Sequence, residues 1–163
     1  MALDDIVTWH QSYSVSIPLI DAQHVELIKL TNRLYRSCLT DRDTSKEVFM
    51  EVLHAAVNYV GYHFSTEENI MKKVCYPEFG AHKIQHTDFV REVLKTVDDI
   101  QNDIYINPLN FVKYLKDWIL THIAVTDSAL GKYLVMLKNR GVLNSITLKI
   151  KNIDGRYVIR GDG

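Results

Sequence analysis

His24, His63-x3-Glu67, His82-x3-His86 and His122-x4-Asp127 place five imidazoles and two carboxylates at helical spacings along a 163-residue chain. Imidazole suits zinc, copper, iron and nickel alike, so this ligand set by itself leaves the metal open. Delivered by four separate segments, it is complete for a two-metal site. Residues four apart on an α-helix differ by about 40° and stand one turn apart on one face. His63 with Glu67, and His82 with His86, can therefore grip one cluster. His24 is alone on its segment but shares an apolar stripe with Leu27 and Leu34. His122 and Asp127 are about 140° apart on a regular helix. That step predicts a local widening, such as a π-bulge, between Thr121 and Asp127. Seven polar groups on core stripes would be ruinous for stability without a common partner, and metal ligation satisfies all of them. The two remaining histidines fall outside the set. His54 points about 180° from His63 on the same helix, toward solvent, and His10 is a packing or surface residue of the N-terminal arm.

The elements that must position these groups are helical. An arm over residues 1–18, with Trp9, Tyr13 and Ile17, is expected to lie against the body of the fold. A first helix runs from Leu19 to Cys38, with His24, Leu27, Thr31, Leu34 and Cys38 at three- and four-residue steps. A second spans Thr44 to Lys73 and stops at Cys75-Tyr76-Pro77, since proline disfavours helical geometry in the residue before it. A third, Glu78 to Gln101, carries Phe79, His82, His86, Phe89, Val93, Val97 and Ile100 along one stripe. Asn107-Pro108 starts a fourth, which carries Phe111, Leu115, Trp118, His122 and Val125 and ends at Gly141. Amphipathic helices with short connections predict an all-α fold, an up-down-up-down four-helix bundle. Residues 144–163 differ. Ile146, Leu148 and Ile150 alternate with polar residues before Asp154-Gly155 and Tyr157-Val158-Ile159, the pattern of a short β-hairpin. The chain thus divides into a bundle with its arm, 1–143, and a C-terminal extension, 144–163. Arg160-Gly161-Asp162 is read as a chance tripeptide.

Composition narrows the partners. A net charge of −1 offers no electrostatic footprint for nucleic acid or an anionic membrane. The N-terminus, Met1-Ala2-Leu3-Asp4-Asp5, has no basic and apolar leader, and no stretch approaches the ~18 apolar residues of a membrane span. A cytoplasmic location is expected, with Cys38 and Cys75 as reduced thiols.

The chain resembles a hemerythrin, specifically a bacterial one. The resemblance is carried by Trp9, by Ile20-Asp21-Ala22-Gln23-His24 and by His63-Phe64-Ser65-Thr66-Glu67-Glu68-Asn69-Ile70-Met71. It continues through Tyr76-Pro77, His82-x3-His86 and Trp118-x3-His122-Ile123-x3-Asp127, and covers roughly residues 7–138. The resemblance implies two non-haem iron ions with a bridging oxo or hydroxo group, joined by Glu67 and Asp127. It implies that His82, His86 and His122 cap one iron. His24 and His63 would cap the other, whose open position would take dioxygen end-on. Leu120 is expected beside bound oxygen, with Leu27, Phe64, Trp118 and Ile119 as further candidates for an apolar lining.

The function this implies is reversible dioxygen binding for carriage, storage or delivery, and not enzymatic turnover. Two other readings stand beside it. One is a sensing module that acts through a partner, with residues 144–163 as the contact to that partner or to a second copy. The other is a di-iron enzyme acting on peroxide or nitric oxide, for which no acid/base residue beyond the ligands is evident.

Overall fold

A computed structural model describes residues 5–39, 42–145, 149–153 and 156–160, with side chains over 5–39 and 46–143. Its helices are α1 (Pro18–Ser37), α2 (Arg42–Lys73), α3 (Phe79–Gln101), α4 (Pro108–His122) and α5 (Ser128–Asn139). A π-helical turn, Ile123–Asp127, joins α4 to α5 without a break, so the two form the fourth rod of a four-helix bundle. The punctuation is local chemistry. Pro18 and Pro108 sit in the first turns of α1 and α4, where a missing N–H costs nothing. The Asn107 side chain accepts from the Asn110 N–H at 3.2 Å and caps α4. Gly141, at φ 73°, takes the left-handed conformation just past α5.

Two apolar clusters divide the interior. One is built on Leu27, Leu34, Leu53, Phe89, Val112 and Leu115. The other holds Val15, Ile20, Ile70, Met71, Leu130 and Leu134. On each rod the histidines and carboxylates fall in sequence between members of the two clusters, so the bundle carries one polar layer between two apolar ones. Val125, expected on the core stripe, is 65% exposed. The wide π turn adds a residue to the register and carries Val125 outward.

The arm is tied down as expected. Asn32, buried on α1, accepts from the Val7 N–H at 3.1 Å and donates to the Val7 carbonyl at 2.7 Å. Asp21 accepts from the Val15 N–H at 2.7 Å and the Ser14 hydroxyl at 2.6 Å. Where the arm crosses α5, a Cβ on Gly131 would stand 2.2 Å from the Val15 carbonyl oxygen. Only glycine permits that approach. His10 is exposed and caps a short 3-10 turn, and His54 is exposed on α2. Cys38 and Cys75 are unpaired thiols; burial pushes Cys38 up to about 11.

At the C-terminus, β1 (Lys149–Ile153) pairs antiparallel with β2 (Arg156–Arg160), with Ile150 opposite Ile159. Asp154-Gly155, Ile146 and Leu148 lie outside the described residues, as does Gly161-Asp162 of the tripeptide. Among the described residues no helix is long and apolar enough to cross a membrane.

Candidate metal centre

All seven singled-out side chains converge in the polar layer. His24 comes from α1, His63 and Glu67 from α2, His82 and His86 from α3, and His122 from the end of α4. Asp127 closes the π turn, in which the Ser128 N–H bonds back to the Ile123 carbonyl. Bonding of the i→i+5 kind makes residues five apart roughly one turn apart. The five-residue step thus achieves what a four-residue step achieves on α2 and α3. Each of the seven is at most 4% exposed.

Two groups of ligand atoms lie within 4.8 Å of one another: Glu67, His82, His86, His122 and Asp127 in one, and His24, His63, Glu67 and Asp127 in the other. The two carboxylates belong to both. His122 Nε2 stands 3.1 Å from His86 Nε2 and 3.2 Å from His82 Nε2. Two nitrogens at about 2.1 Å from one ion and roughly at right angles would be about 3.0 Å apart. His24 Nε2 and His82 Nε2 reach Asp127 oxygens at 3.1 and 3.2 Å, and His86 Nε2 reaches Glu67 at 3.3 Å.

The hydrogen-bond inventory tests whether a metal pair fits. Both nitrogens of His24, Nδ1 of His82 and all four oxygens of Glu67 and Asp127 are buried without an aligned hydrogen-bond partner. Buried polar atoms are otherwise satisfied in most proteins. His24 Nε2 and the four carboxylate oxygens approach one another closely and point at shared space, as ligands do. The donor set, neutral nitrogen with two carboxylates, suits two divalent ions, and the residues fit the group.

Burial and mutual repulsion set the charge states of the metal-free cluster. Burial, with His24 nearby, lowers His63 to about 3, and burial with His82 nearby lowers His86 to about 2. Both rings are therefore neutral, the form that binds metal. Burial and the neighbouring Asp127 push Glu67 up to about 8. Burial opposes the Asp127 charge as well, but contacts with His122, His24 and His82 outweigh it and hold that carboxyl well below its usual range. Burial would lower His82, yet Asp127 and Glu67 raise it to about 9.

Three residues outside the expected set orient the rings. The Gln23 carbonyl oxygen lies 3.0 Å from His63 Nδ1, and its amide donates to the Thr66 hydroxyl at 3.1 Å. The Gln85 carbonyl oxygen lies 3.1 Å from His122 Nδ1 and accepts from the Thr126 hydroxyl at 3.0 Å. Glu68 lies 3.4 Å from His86 Nδ1 and 3.0 Å from Lys83 Nζ. Partners of this kind set the tautomer, presenting Nε2 to the metal.

Beside the cluster is a cavity of about 10 Å³, walled by Leu27, Val60, Phe64, Phe89, Trp118, Ile119 and Ile123 against His63, His122 and Asp127. Leu120, expected here, is only half-buried and is not part of this wall. A two-residue step from His122 turns about 200° on α4, whereas the three-residue step to Ile119 ends about 60° away. Ile119 lines the wall, on the side of α4 that His122 faces.

A helical bundle with a paired histidine–carboxylate cluster defines a metal-binding domain. The model of the hemerythrin HHE cation binding domain matches residues 15–134, and the chain belongs to that family. It is similar to the bacteriohemerythrin of Clostridium acetobutylicum, 27% identical over 73% of this chain and 94% of that protein. That of Stenotrophomonas maltophilia is 26% identical over 76% of this chain and 78% of its own length. A hemerythrin-like protein of Naegleria gruberi is 28% identical over 83% and 92%. The crystal structure of wild-type hemerythrin shares the fold, with a TM-score of 0.73 and 24% identity over 78% of this chain and 96% of that one.

Proposed function

We propose that the chain binds dioxygen reversibly at a non-haem di-iron centre, for carriage, storage or delivery. The observation that carries this reading is the unequal pair of ligand groups sharing Glu67 and Asp127. His82, His86 and His122 with both carboxylates offer one ion five ligands; His24 and His63 with the same carboxylates offer the other four. A bridging oxo or hydroxo group would add one ligand to each, so the group with His24 and His63 would be the one with room for dioxygen. Two ferrous ions held there would supply the electrons that dioxygen binding draws on.

The protein's part is to position and to exclude. Gln23, Gln85 and Glu68 fix the rings, and the carboxylates hold the pair together. The apolar wall slows the entry of water and protons, which favours release of dioxygen over its reduction. A second apolar cavity of about 30 Å³ shares Leu27, Val60, Phe89 and Ile119 with the first and extends the dry region toward Leu34 and Leu53. Residues 1–143 act as the binding unit in the cytoplasm, with 144–163 as an extension available to a protein partner or a second copy.

Ile119→Asn should bring a polar amide and water to this wall and shorten the life of the oxygenated form by roughly ten-fold, the scale of ~1.4 kcal/mol. Leu120→Asn should leave it nearly unchanged. Stopped-flow autoxidation of the two variants checks this, and equal rates would contradict the placement of the open position beside Ile119.

A further inference from the structure

α4 presents an aromatic series that metal binding does not require. Tyr114, Trp118 and His122 follow one another at four-residue steps on one face. The Trp118 ring stacks on the His122 imidazole, with centroids 4.4 Å apart and planes 13° from parallel. Phe89 of α3 stacks on Trp118 with centroids 3.9 Å apart, and its centroid is 6.3 Å from that of Tyr114. The inner end of this stack is a candidate ligand with Nε2 in the cluster, and the outer end, Tyr114, is 40% exposed. Tryptophan and tyrosine are the side chains that give up single electrons most readily in a dry interior. Here they are ordered from the metal layer to solvent.

We propose that Trp118 and Tyr114 form a drain that carries oxidising equivalents from the metal layer to the surface and protects the site from peroxide. The inference rests on the di-iron reading. When hydrogen peroxide is reduced to two waters at the site, two electrons come through the chain and two protons are taken up from water that enters with the peroxide. Each electron comes from Trp118, and Tyr114 refills Trp118. The Tyr114 phenol loses its proton to water as its electron leaves. Burial, with Glu92 nearby, raises Tyr114 above its ordinary value, so electron and proton leave together from a neutral phenol. An external donor of the ascorbate class then returns one electron and one proton to the tyrosyl radical. Two such passages per peroxide balance the reaction: peroxide and two ascorbate anions give two waters and two ascorbyl radicals. Phe89 is not oxidised; it keeps the two rings in one packed column.

Two measurements test the drain. In the first, the iron-loaded chain, with its iron counted, is mixed with hydrogen peroxide, freeze-quenched and examined by electron paramagnetic resonance. A tyrosyl signal is expected that is lost in Tyr114→Phe, which keeps the ring and its packing, and replaced there by a tryptophan radical. A tyrosyl signal unchanged in Tyr114→Phe would overturn the proposal. In the second, the metal-free Trp9→Phe chain, whose sole tryptophan is Trp118, is oxidised by a laser flash with a ruthenium photo-oxidant. Conversion of the tryptophan radical into a tyrosyl radical is expected, with loss of that conversion when Tyr114→Phe is added. Conversion at the same rate in both overturns the drain. A chain that takes up no iron contradicts the di-iron reading, while the flash measurement still decides the route.

Discussion

Asp127→Ala is expected to empty both metal positions, whereas His24→Ala empties one. Asp127 and Glu67 are the two residues common to both ligand groups, and the Asp127 oxygens lie 3.1 Å from His24 Nε2 and 3.1 Å from His122 Nε2, on opposite sides of the cluster. Losing the Asp127 carboxylate would remove a ligand from each ion and half of the negative charge that the protein's own ligands supply. It also leaves His82, held up to about 9 chiefly by that carboxylate and Glu67, without one of its partners. Losing His24 removes one neutral nitrogen from the four-ligand group and leaves the five-ligand group whole. Metal analysis after anaerobic loading with ferrous iron and desalting reads the difference directly. Equal iron in the two variants would contradict the sharing of Asp127. Circular dichroism is run beside it, so that a variant that fails to fold is recognised as such.

The metal-free chain is expected to be markedly less stable than the loaded one. Five atoms that an ion would engage, His24 Nε2 and the four oxygens of Glu67 and Asp127, are buried without an aligned partner, and each such atom costs about 1–3 kcal/mol when left unpaired. Water entering the emptied site offsets much of this, and a net loss of about 5 kcal/mol remains a reasonable scale. For a chain of this length that corresponds to a fall in Tm of roughly 10–20 °C. Thermal unfolding before and after chelation, with iron restored in a third sample, checks both the size and its reversal. A Tm that does not move would mean these groups satisfy one another and need no ion.

The helices and the ligand layer were legible because both rest on one periodicity. Apolar residues at three- and four-residue steps define the rods, and histidines on those same stripes must meet in the interior. The π turn was legible for the opposite reason: His122 and Asp127 break that period, and a widened turn brings both inward. The same insertion hid the fate of Val125, whose position follows from where within the turn the extra residue falls. Leu120 and Ile119 differ by one residue, which on a helix is a rotation of about 100° and the difference between the flank of α4 and the wall of the cavity. Gln23, Gln85 and Glu68 each adjoin a ligand in sequence and so read as off-face residues. They matter because a ring from another helix lies within reach, a juxtaposition no periodicity encodes. The stack of Trp118 on His122 had its signal in the four-residue step, but Phe89 joins it only through packing of α3 against α4.

The most direct test of the central claim is a cycle of oxygen addition and removal. The chain is loaded anaerobically with iron, its iron per chain is counted, and the visible spectrum is followed as dioxygen is admitted and then purged. Two irons per chain, with an absorption band that rises on oxygen and falls on purging over repeated cycles, is the predicted result. One iron or none, or a spectrum that changes once and does not return, would contradict reversible dioxygen binding at a metal pair.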